Sequence, residues 1–136
     1  MCGLVVSDLS ELETMVRLLR LPYRRMGDSV VASFSDEKYG EIGLVYTLDR
    51  DTGSLRVAAP LDVEPTSEGL RVILEENFTS TTYKYALDYE GFITVVYDVQ
   101  ADCVRDVRKL REITLYVVEG AKRILERSRP EKVEGG

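Results

Sequence analysis

The sequence predicts an α+β fold: an antiparallel sheet of about five strands, in the order α-β-β-β-α-β-β-α, with helices packed mainly on one face. Three observations carry it. Apolar residues recur at helical spacing near the start, two pairs of alternating stretches meet at glycine turns, and a long amphipathic run lies near the end. A chain of 136 residues has one domain's length. It reads as a single α+β domain over 1–128 and a flexible, charged C-terminal tail over 129–136.

Asp8 with Glu11 is a capping-box-like start. Leu9, Leu12, Met15, Val16 and Leu19 then share one helical face until Pro22 stops the run, so the first helix spans Asp8 to Leu19. The pair Gly27-Asp28 marks a turn, with room for a short strand around Tyr23 to Met26 before it and the strand "SVVASFS" after it. In "EIGLVYTL" the residues Ile42, Leu44, Tyr46 and Leu48 alternate, as do Leu55, Val57 and Ala59 in "SLRVAA". Matching the two apolar faces pairs Leu48 with Leu55 and puts Gly53 where the connection needs positive φ.

Pro60 and Pro65 bracket a linker, and Thr66 or Ser67 caps a second helix with Leu70, Ile73, Leu74 and Phe78 on one side. In the hairpin that follows, Tyr83, Tyr85 and Leu87 share a face with Ile93, Val95 and Tyr97 only if Asp88 opposes Phe92. That register leaves Tyr89-Glu90-Gly91 as the loop, Gly91 left-handed, and Lys84, Ala86, Thr94 and Val96 on the other face. Asp102 is the expected cap of the last helix, whose stripe of Val104, Val107, Leu110, Ile113 or Thr114, Val117, Ala121 and Ile124 is widened by Leu115, Val118 and Leu125. An arc this broad touches two neighbours, either the sheet plus the first helix or a partner subunit.

Composition narrows the function classes. A net charge of −6 and a pI near 4.8 oppose general attraction to nucleic acid or anionic lipid. The apolar runs are too short for a membrane span or secretion signal, which predicts a cytoplasmic chain. One Asn, one Gln and many charges follow a hyperthermophile tendency. The absence of histidine removes Ser-His and Cys-His nucleophile pairs and histidine metal ligands from the single chain.

The short motifs have structural explanations. In "MCG" a processed Cys2 would be an N-terminal nucleophile, the basis of an alternative reading as a small thiol-dependent hydrolase or amidohydrolase. The helix start at Asp8 follows too closely for the strand such a nucleophile occupies, and no Asn-Gly pair offers an oxyanion hole. Asp51-Thr52-Gly53 spells the aspartic-protease triplet, but Arg50 and Ser54 flank it at a polar hairpin tip. Asp49, Asp51 and Gly53 echo a calcium loop without its closing Glu. Cys103 at a helix start reads as a small, partly buried residue, and its bridging to Cys2 stays open. No cofactor and no metal are expected, and a small-ligand sensor remains a further alternative.

Tyrosine combines an apolar body with a polar tip, suiting either core packing under a helix or a partly wet partner surface. On the second reading the expected contact residues are Tyr83, Tyr85 and Tyr97, with Leu115 and Val118 on the widened helix face.

The segments "LRVILEENF", with Asn77 at its helix end, and "YKYALDYEGFITVVYDV", with its acidic-Gly hairpin, followed by a long final helix, resemble the YbjN family and the type III secretion chaperone-like fold. That resemblance covers about three-quarters of the chain in element order. It implies a non-enzymatic homodimer that binds a segment of a protein partner.

Overall fold

A computed structural model describes residues 8–128. The chain runs α1 (Leu9–Leu18), β1 (Tyr23–Met26), β2 (Ser29–Asp36), β3 (Gly40–Asp49), β4 (Ser54–Val63), α2 (Ser67–Thr79), β5 (Lys84–Leu87), β6 (Ile93–Gln100), a 3-10 turn (Ala101–Cys103) and α3 (Val107–Ser128). The strands form one antiparallel sheet in the order β1-β2-β3-β4-β6-β5. It has six strands where about five were expected, because the residues around Tyr23 to Met26 do pair, Met26 facing Ser29 across the Gly27-Asp28 turn.

Both derived registers hold. Leu48 faces Leu55, and Asp88 donates its N–H to the Phe92 carbonyl at 2.9 Å while Gly91 sits at φ 87°. Alternation with period two leaves little choice here, since a slip of one residue would turn every apolar side chain to the wrong face. At the other tip the Asp49 carboxylate accepts the Asp51 N–H at 3.0 Å, so the Asp-Thr-Gly triplet is turn chemistry.

Two boundaries differ from expectation. β4 runs through Pro60 to Val63 instead of breaking into a linker. Its ladder to β3 has its last pair at Val45 and Ala58, so the N–H missing from Pro60 has no β3 neighbour to serve. The last helix is capped by Asp106, whose carboxylate accepts the Lys109 N–H at 2.9 Å, and not by Asp102, which lies in the 3-10 turn. The first helix starts as expected, Asp8 accepting the Glu11 N–H at 2.9 Å.

α1 and α3 pack side by side on one face of the sheet, α1 over β2 and α3 over β4 and β6. Between them lie Leu12, Val16, Tyr46, Leu55, Val57, Leu110, Ile113 and Val117, all fully buried. The stripe from Val104 to Ile124 is therefore largely covered by the sheet and α1, whereas Leu115 on the widened side of α3 stays exposed. Inside this core the Tyr46 and Thr114 hydroxyls lie 2.7 Å apart, and burial pushes the Tyr46 phenol up to about 12. At Gly120 α3 comes so close to the sheet side that an added Cβ would lie 2.7 Å from the Tyr83 ring and 2.8 Å from Val95.

Candidate partner-binding surface

A sheet bonds to another chain only through strands whose outer N–H and C=O groups are unpaired, so its edges come first. The outer strands are β1 and β5. They are treated differently.

β5 is closed by α2. The last turn of α2 carries Asn77, whose Nδ2 donates to the Tyr85 carbonyl at 3.0 Å while its Oδ1 accepts the Tyr85 N–H at 2.8 Å. A single amide thus takes both bonds that a seventh strand would make at Tyr85. Lys84 ties the same helix end down, its ammonium donating to the Asn77 carbonyl at 2.7 Å and to the Ser80 carbonyl, where the helix dipole favours a cation.

β1 is open. The Pro22 carbonyl accepts the Ser33 N–H at 3.0 Å, so alternation points the backbone groups of Arg24 and Met26 toward β2 and those of Tyr23 and Arg25 away from the sheet. Among the described residues nothing pairs with that outward row. The flanking side chains Leu18 and Met26 are about half exposed, at 51% and 49%.

A second exposed feature lies on α2. The expected apolar side of that helix is only partly covered: Ile73 is buried, while Leu70, Leu74 and Phe78 are 37%, 67% and 92% exposed. They repeat every fourth residue, beside the Arg71 and Glu75 ion pair at 3.3 Å. The face of the sheet away from α1 and α3 carries short apolar side chains. Its row Val31, Val45, Ala58 and Val96 runs across the sheet through paired positions. Its polar groups engage one another, as in the two-point contact of Arg56 with Asp98 at 2.7 and 2.8 Å.

The five residues singled out in the sequence do not form one patch. Tyr83 and Tyr85 are buried at 5% exposure each, as core packing under a helix expects. Their rings meet edge to face, and the Tyr85 hydroxyl donates to the Gly120 carbonyl at 2.8 Å. Tyr97 is half-buried and stacks on Tyr116. Leu115 is exposed and Val118 buried, and both line a groove of about 940 Å³ between the β2–β3 turn and α3. The charges there pair internally, Lys122 with Asp36 at 3.0 Å and Lys38 with Glu126 at 2.8 Å. Cys103 is disulfide-bonded, which withdraws its thiol from nucleophilic chemistry; Cys2 lies outside the described residues.

The sheet order, the two helices on one face and the third at the β5 edge define a type III secretion chaperone-like fold. YbjN from E. coli, provisionally described as a transcription regulator, aligns over 91% of this chain and 93% of its own, with a TM-score of 0.67 and 19% identity. The ExsC-ExsE complex aligns over 92% of this chain and 98% of that one, at a TM-score of 0.66 and 14% identity. The HopA1-SchA chaperone-effector complex aligns over 82% and 87%, at 0.57 and 14%. No family model matches the chain, and no curated relative does. At these identities the likeness is one of fold.

Proposed function

We propose that this chain is a non-catalytic, chaperone-like protein-binding module that works as a homodimer and holds a partner polypeptide segment as an added strand on β1. The observation that carries the reading is the asymmetry of the edges: Asn77 takes the outward groups of Tyr85 on β5, whereas the outward groups of Tyr23 and Arg25 on β1 have no partner among the described residues. Strand addition draws its affinity from such groups. The dimer contact in this reading is the α2 stripe. Across a two-fold axis Leu74 and Phe78 would cover their own copies, and Arg71 would meet the partner's Glu75, so the surface is self-complementary. Similarity to two structures that are themselves complexes, one a chaperone with an effector, supports the reading.

Sedimentation of the purified chain, with mass spectrometry of whatever co-purifies, tests it. The expected result is a dimer that Leu74→Glu and Phe78→Glu convert to a folded monomer. A strict monomer with no co-purifying protein overturns it.

A further inference from the structure

We infer that the segment taken by β1 is acidic, an extended stretch in which Asp or Glu alternates with apolar residues. This rests on the strand-addition reading and adds the partner's chemistry. The stretch 17–26 holds Arg17, Arg20, Arg24 and Arg25 with no Asp or Glu, in a chain whose net charge is −6. All four arginines are exposed. Arg25 reaches Glu13 at 3.7 Å, and the turn after β1 carries Asp28. Among the described residues Arg17, Arg20 and Arg24 have no carboxylate partner. The cations are also spread around the edge. Arg17 and Arg20 lie at the end of α1, Arg25 stands on the helix side of β1, and Arg24 stands on the open side, beside Val31.

Range decides how this corner acts against the acidic whole. At physiological salt the screening length is about 8 Å, so an incoming strand responds to the guanidinium groups beside it more than to carboxylates across the molecule. With the acidic half of the alternation facing Arg17, Arg20 and Arg25 on the helix side, its apolar half lies on the open face beside Met26, an exposed apolar side chain at the same corner. Arg20 marks the corner in another way: it sits at φ 68°, the left-handed position after α1 that glycine normally fills.

Fluorescence anisotropy of labelled peptides titrated with the full chain tests the inference. The probes are a peptide alternating Glu and Val, its Lys and Val counterpart, and a Glu peptide of equal charge interrupted by Pro. The Glu-Val peptide should bind and weaken with salt, and the other two should bind at least about tenfold more weakly. Arg17→Gln, Arg20→Gly and Arg24→Gln combined should weaken the Glu-Val peptide by about tenfold. Arg20→Gly alone should melt no lower than the parent, because glycine accepts that backbone without strain. Arg25→Pro keeps the β1–β2 ladder, since its N–H points outward, and should abolish binding. Equal binding of the Lys-Val peptide overturns the acidic assignment while strand addition stands. Equal binding of the Pro-interrupted peptide overturns strand addition. Binding by neither charged strand peptide overturns this inference, and the co-purification measurement then judges the broader reading alone.

Discussion

Asn77 meets Tyr85 as a neighbouring strand would, giving one hydrogen bond at 3.0 Å and taking one at 2.8 Å. The contact fixes the end of α2 to the sheet and blunts an edge whose exposed groups would otherwise template association. Asn is suited to it because one planar amide carries both a donor and an acceptor.

Asn77→Ala should therefore lower stability by about 1–3 kcal/mol by leaving the Tyr85 N–H and carbonyl unpaired. It should also promote association through β5. Asn77→Asp keeps the acceptor and loses the donor, so it should fall between Ala and the parent. Urea melts with light scattering of the three proteins check this; equal stability of all three would remove the edge-closing role.

Gly120→Ala should destabilise by about 1–3 kcal/mol, because its methyl would enter the space of the Tyr83 ring and Val95. Pairing it with Val95→Ala should recover part of the loss if the clash is the cause. Thermal melts of the single and double variants measure that recovery.

Asp36 offers a pH test. Its hydrogen bond to Lys122 is the main cause holding its carboxyl below the usual Asp value. A carboxyl depressed in the folded state stabilises it fully above the ordinary Asp value, and that contribution is lost as pH falls through the folded value. Carbon NMR titration of the Asp36 carboxyl should show a midpoint that rises in Lys122→Met. An unchanged midpoint would mean that the contact seen at 3.0 Å does not govern the carboxyl.

Much of this protein was legible in its letters. The pairing of Leu48 with Leu55 and of Asp88 with Phe92 followed from alternation plus the glycine each turn requires, because a strand's own side chains encode which face is buried. The caps at Asp8 and Thr66 were equally local. Local pattern reached its limit at α2, where Leu70, Ile73, Leu74 and Phe78 look alike in sequence and only Ile73 finds a buried place. The tyrosines divided the same way, Tyr83 and Tyr85 entering the core because Gly120 lets α3 come close.

The sequence by itself determined the order of the helices and main strands and the registers of the two hairpins, since each depends on residues a few positions apart. Which edge is closed and which is open was decided by the tertiary structure alone. Asn77 and Tyr85 are eight positions apart on different elements, and β1 lies at the far side of the sheet. Whether a backbone group has a partner is a fact about its neighbours in space, and no periodicity along the chain records it.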